Sequence, residues 1–168
     1  MAVVSNTISL NKVQYQDTKK IAALANTIWN EYYISIISQE QIDYMLCKMY
    51  SVKALSEQID NGQNFYTINI EGTDIGFISV SEIKPEEWML HKFYINGNHR
   101  KKGMGSVVFK ELLKTLKTPE LIRLTVNRQN FKSINFYFKN GFIIESVEDF
   151  DIGNGYFMND FVMIWNKK

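Results

Sequence analysis

The sequence predicts an α/β (α+β) fold: a mixed, mostly antiparallel central sheet with flanking helices and one locally parallel strand pair. Three observations carry this. Apolar residues recur at helical spacing up to residue 60, and strand-like runs begin at Phe65. Turn signals at Gly72-Thr-Asp74 and Gly153-Asn-Gly155 join neighbouring strand runs into hairpins. Around residues 121–142 strand alternates with helix, the arrangement that parallel pairing needs.

Each element follows from local chemistry. Residues 7–15 form the first strand. Asp17 is placed as the N-cap of a helix carrying Ile21, Leu24, Ala25 and Ile28, and Trp29, Tyr32 and Tyr33 end it in an aromatic cluster. Ser38-Gln-Glu-Gln41 has capping-box spacing and opens a second helix with Ile42, Met45, Leu46 and Met49 on one face. A third helical piece, residues 52–60, stops at Asn61-Gly62. Residues 65–70 and 75–83 read as a hairpin, and residues 88–95 as the next strand. A basic loop over 96–102 leads into an amphipathic helix over 103–116. Residues 121–126 are a short buried strand, and 131–139 a helix closed by Asn140-Gly141. Residues 142–150 and 156–165 make the final hairpin.

Composition narrows the class. A chain of 168 residues with 45% hydrophobic and 14% aromatic content fits one domain spanning residues 1–168. No repeat, Pro-rich linker or low-complexity segment interrupts it. Lone Cys47 excludes an internal disulfide and a cysteine-rich zinc site, so no metal is expected. The apolar runs are too short to cross a bilayer, and no basic-then-apolar leader opens the sequence. A cytoplasmic setting without a membrane partner is the expectation. The C-terminal strand offers an edge on which a homodimer is an option.

Charge is unevenly spread behind a net value of +1. Residues 1–90 hold 6 Lys/Arg against 11 Asp/Glu, residues 91–144 hold 11 against 2, and residues 145–168 hold 2 against 5. A nucleic-acid binder is usually basic as a whole, with aromatics interleaved among its cations. Residues 96–106 lack those aromatics. A small anion held locally fits the pattern better, and no nucleic-acid partner is expected.

Two motifs carry chemistry. Arg100-Lys101-Lys102-Gly103-Met104-Gly105-Ser106 lies between a strand and a helix. Glycines allow close backbone approach, the helix start presents unpaired N–H groups, and the cations add full charge. A diphosphate is the natural occupant; a solvated basic loop is the plain alternative. The second motif is Asn130-x-x-Ser133-x-x-x-Tyr137-x-x-x-Gly141-Phe142. Asn130 sits where its side chain caps a helix or grips an amide. Spacing alone leaves Tyr137 open between a functional role and core packing within Phe136-Tyr137-Phe138.

In order, these motifs resemble the GNAT (GCN5-related) N-acetyltransferases, over nearly the whole chain. Arg100, Gly103 and Gly105 match that family's R/Q-x-x-G-x-G/A, and Asn130, Tyr137, Gly141 and Phe142 match its second motif, with Ser133 in place of the small Ala. The segment 152–160 also looks like uncharacterised bacterial members of the family, some of them close to polyamine acetyltransferases. The resemblance implies the GNAT fold and acetyl-CoA as co-substrate, with the diphosphate on residues 100–106 and with Asn130 and Ser133 also binding the coenzyme. It implies a strand splayed beside residues 121–126, where Phe93, Tyr94 and Ile95 hold the pantetheine arm. It implies that Tyr137 donates to the departing sulfur.

The reaction so implied is direct attack of a primary amine on the thioester in a ternary complex, a small-molecule amine such as a polyamine or amino compound being favoured. A non-catalytic acyl-CoA-binding module and a protein N-terminal or lysine acetyltransferase are the alternatives. His91 is the first candidate base, set two residues before Phe93 and so on its face. Glu82, acting through water, is the second; either is also readable as structural. His99 belongs to the basic loop. Trp29, Glu31, Tyr32 and Tyr33, together with the final hairpin, are the candidate substrate-binding parts, aromatic and acidic as suits a cationic amine.

Overall fold

The computed structural model describes residues 7–100, 103–117 and 119–168. Its strands are β1 (Ile8–Lys12), β2 (Asn64–Ile70), β3 (Thr73–Lys84), β4 (Glu87–Ile95), β5 (Leu121–Asn127), β6 (Ile143–Gly153) and β7 (Tyr156–Asn166). Its helices are α1 (Thr18–Tyr32), α2 (Gln39–Tyr50), α3 (Val52–Asp60), α4 (Met104–Thr115) and α5 (Phe131–Lys139). All seven strands join one sheet in the order β1-β2-β3-β4-β5-β7-β6. Every pair is antiparallel except β4 with β5.

The sheet separates two apolar layers. On one face, Val108, Phe109 and Leu112 of α4 and Ile134 and Tyr137 of α5 pack with Ile78, Leu90 and Leu124. On the other, Ile21, Ala25 and Ile28 of α1, Ile42 and Met45 of α2 and Leu55 of α3 pack with Phe65 and Phe77. Each fully buried side chain of this size contributes about 1.5–3 kcal/mol of transfer free energy. β3 is buried continuously from Ile75 to Val80, because helices cover both of its faces.

Local signals explain most element ends. Ser38 and Ser51 cap α2 and α3 by accepting from Gln41 N and Ala54 N, each cap being worth about 1 kcal/mol. Asp17 departs from its expected role. Its carboxylate accepts from Gln14 N at 3.0 Å and closes a 3-10 turn over Tyr15–Asp17, so α1 begins without a side-chain cap from it. That turn also ends the first strand at Lys12 rather than residue 15. The β2–β3 hairpin turns on Glu71 and Gly72, both at positive φ, one residue earlier than the sequence placed it.

The ladder between β4 and β5 sets up the site. It holds over four parallel pairs, from Glu87 with Leu121 to Leu90 with Leu124. Beyond Leu90, β4 continues along β3 to Ile95 and β5 continues along β7 to Asn127, but the two no longer pair with each other. A bulge marks the parting. Val80 pairs with Leu90 and Ser79 with Lys92, leaving His91 as the extra residue.

Candidate active site

A cavity of about 500 Å³ fills the gap between the parted strands. Its walls are the free edges of β4 and β5, the start of α4, one side of α5 and the inner faces of α1 and α2. Unpaired peptide groups along such edges offer a ligand the hydrogen bonds of an added strand. Phe93, Tyr94 and Ile95 line it together with Thr125, Val126 and Asn127.

At one end the backbone dominates. Gly103 is the N-cap of α4, with φ at 87°, and a Cβ there would meet open space, so left-handed geometry is what calls for glycine. Gly105 is needed for another reason: a Cβ would lie 2.7 Å from the Phe136 ring. Gly105 and Ser106 line the cavity, whereas Met104 packs against the core. Lys101 and Lys102 lie outside the described residues. Arg100 turns inward: its Nε donates to Ile95 O at 2.7 Å and its guanidinium lies 4.2 Å from the centre of the Tyr32 ring. Asn130 caps α5 by accepting from Ser133 N, and the same oxygen accepts from the Tyr32 hydroxyl. Lys132 and Lys139 add cations that the motif reading passed over. Free strand edges, a helix start and surrounding cations fit a long thioester with an anionic end.

Tyr137 stands where α5 meets the cavity, 8% exposed, its ring against Phe136 and Phe142. Burial, and then the nearby Tyr32 phenol, raises its hydroxyl well above the ordinary value, so it remains a proton donor at neutral pH.

The other end is made of side chains. Trp29 stacks on Tyr33 with ring centres 4.2 Å apart, and Tyr50, Met45, Met49 and Met158 join them around the lining. Of the expected substrate residues, Trp29, Tyr32 and Tyr33 reach the cavity, and Tyr32 reaches it beside Arg100 and Asn130. Glu31 does not line it; its side chain is exposed and lies by Gly97.

The candidate bases are also separated. Glu82 stands outside the lining, its carboxylate accepting from Glu86 N in the β3–β4 turn. His91 lines the cavity, but the bulge removes it from the face of Phe93. Its Nε2 bonds Ser81 Oγ at 2.7 Å, on the side opposite Leu90 and Phe93. The ring keeps some solvent exposure, yet desolvation and then the neighbouring Lys92 charge push its pKa down to about 4.

Two charged groups here were not singled out from the sequence, although one of them lies on the final hairpin named there. Lys92 is 8% exposed, donates to Gln58 Oε1 at 2.7 Å, and lies over the Tyr50 and Phe65 rings. Burial lowers its pKa to about 7. Asp160 on β7 is 2% exposed and lines the same end. An alternation signal existed: Met158, Asp160 and Val162 share a strand face, and a charge at the centre of such a face is unusual.

The family model described as "Acetyltransferase (GNAT) family" matches residues 22–142. A spermidine N(1)-acetyltransferase of Thermoplasma acidophilum is 28% identical over 151 residues, covering 86% of this chain and 93% of its own length. The crystal structure of the PaiA N-acetyltransferase from Thermoplasma acidophilum, in complex with coenzyme A, superposes with a TM-score of 0.77 at 28% identity, over 96% of this chain and 99% of that one. A GCN5-related N-acetyltransferase from Rhodopseudomonas palustris shares the fold, with a TM-score of 0.78 at 15% identity over 99% and 100% of the two chains. With the parted strands, the glycine turn and the family match in agreement, this chain belongs to the GNAT family of N-acetyltransferases.

Proposed function

We propose that the protein transfers the acetyl group of acetyl-CoA to a primary amine of a small molecule, by direct attack in a ternary complex. The observation that carries this reading is one cavity lined by the glycine turn and its cations, by Tyr137 and by an aromatic cup. Polyamines and amino compounds are the first acceptors to test, because a relative at 28% identity is a spermidine acetyltransferase.

Acetyl-CoA supplies an activated acyl carbon and a good leaving group. The chain does the rest. Gly103, Gly105, Ser106 and the surrounding cations hold the anionic end. The edges of β4 and β5 hold the extended arm and keep water from it. In this reading a β4 backbone N–H in this stretch stabilises charge developing on the carbonyl oxygen. The Tyr137 hydroxyl protonates the departing sulfur. Holding both reactants in one cavity supplies much of the rate.

The test is thiol release from acetyl-CoA over a panel of polyamines, amino acids, aromatic amines, aminoglycosides and peptides. Turnover with a small amine, at kcat/KM well above any peptide, is the expected result. Turnover with peptides alone would assign the protein to terminal or lysine acetylation instead.

A further inference from the structure

The acceptor end of the cavity has a single carboxylate among its described lining residues, that of Asp160. Its position follows from strand alternation. On β7, Met158 packs into the α1–α3 layer, while Phe161 and Met163 pack into the α4–α5 layer. Asp160 therefore faces the α1–α3 side with Met158. On β5, Leu124 and Val126 face α4 and α5, so Thr125 between them faces the same way as Asp160 and hydrogen-bonds it. The bulge turns His91 toward this side as well. Asp160 thus stands at the parted end of β5, across the gap from β4, where the aromatic cup meets the strand edges.

We infer that Asp160 binds the acceptor's ammonium and accepts the proton it loses before attack. This rests on the acetyl-transfer reading above. An ammonium entering an apolar cup without a counter-charge is strongly disfavoured. Asp160 provides that charge, and its own desolvation favours passing to the neutral acid beside a neutral amine. The protons balance. Asp160 takes one from the ammonium. As the N–C bond forms and the C–S bond breaks, Tyr137 gives a proton to sulfur and recovers one from nitrogen. Asp160 then releases its proton to solvent, so an amide, a thiol and one proton leave.

The pH dependence follows. Burial pushes the Asp160 carboxyl up to about 6, against the Thr125 hydrogen bond and the Arg128 charge, which pull it down. Glu148 is its register partner on β6, and His91, Lys92 and Tyr137 line the cavity across from it. Arg128 is itself paired with Asp149. Below about pH 6 the carboxyl is protonated and cannot accept, so kcat/KM should fall there. A His91 base would place that limb near 4 instead.

The experiment uses whichever amine of the panel is acetylated, so a peptide result would overturn the small-molecule reading without touching Asp160. Asp160→Asn should lower kcat/KM for that amine about 10²-fold or more and abolish the limb near 6. Acetyl-CoA affinity by calorimetry should stay within about twofold. Lys92→Met should leave the limb in place. In the free wild-type protein, the Asp160 carboxyl carbon, followed by NMR, should titrate near 6 and shift when the amine is added. If Asp160→Asn does not fold, Thr125→Val serves: it removes the bond holding the carboxyl down, so the limb should move upward with the plateau rate kept. An amine that leaves the Asp160 resonance unmoved, a limb that vanishes in His91→Ala, or an unchanged kcat/KM in Asp160→Asn would each overturn the assignment.

Discussion

The two ends of the cavity are built differently. The cationic end is made of backbone: a left-handed glycine, the first turn of α4 and two unpaired strand edges. The acceptor end is made of side chains brought from α1, α2, β4 and β7, far apart in sequence. The difference teaches where specificity sits. Backbone groups are the same whatever the residue, so the first end is fixed by a few glycines and caps. The second end is free to change side chain by side chain, and in the proposed reading acceptor choice follows it.

The sharpest way to break this comparison is at Tyr137 on the cavity wall. Tyr137→Phe keeps the ring against Phe136 and Phe142 and removes only the hydroxyl. The donor role proposed for it would strengthen as charge develops on sulfur, so kcat should fall about 10- to 10³-fold while acetyl-CoA affinity stays nearly constant. A variant that melts early but turns over normally per folded molecule would make Tyr137 a core residue.

A smaller effect tests the backbone end. Gly105→Val places branched carbon where the Phe136 ring stands, at a cost of about 1–3 kcal/mol. Gly103→Ala meets no atom but strains a left-handed position, at about 1–2 kcal/mol. Both should lower the melting temperature and weaken acetyl-CoA, Gly105→Val more. Equal losses from Arg100→Ala, with melting unchanged, would mean that charge rather than backbone shape holds the ligand.

The smallest expected effect concerns Lys92. Its folded pKa of about 7 lies below the ordinary lysine value, so between the two the unfolded chain binds more protons. Stability should therefore rise with pH across that window, and the penalty of the buried charge is fully present below about 7. Lys92→Met should lose this slope. Melting curves from pH 7 to 10 check it: the wild type should gain on the variant as pH rises, and parallel curves would contradict the burial.

How much was legible depended on how local the cause was. Gly103 and Asn130 could be read because a turn and a cap each involve a few consecutive residues, whereas spacing alone left Tyr137 open and only the family resemblance singled it out. Asp17 misled because two turns competed for one carboxylate, and sequence does not rank them. His91 misled because a bulge resets strand parity, and nothing in Leu90-His91-Lys92-Phe93 announces one. Lys92 and Asp160 stayed hidden because their partners, Gln58 and Thr125, are 34 or more residues away. Glu31 and Glu82 attracted notice by charge alone, and charge alone does not tell a rim or a turn from a site.

The short parallel ladder has a mechanical consequence. β1 to β4 form one leaf and β5, β7 and β6 another, and among the strand pairings the leaves are stitched only over Glu87–Leu90 and Leu121–Leu124. Such a seam behaves like the spine of a book. Beyond it the two edges carry no rungs to each other, and the helices packed on the sheet are what bridges the leaves. A guest bonding to both edges would act as a bookmark that adds those rungs, so loading the first reactant is expected to stiffen the walls against which the second is aligned.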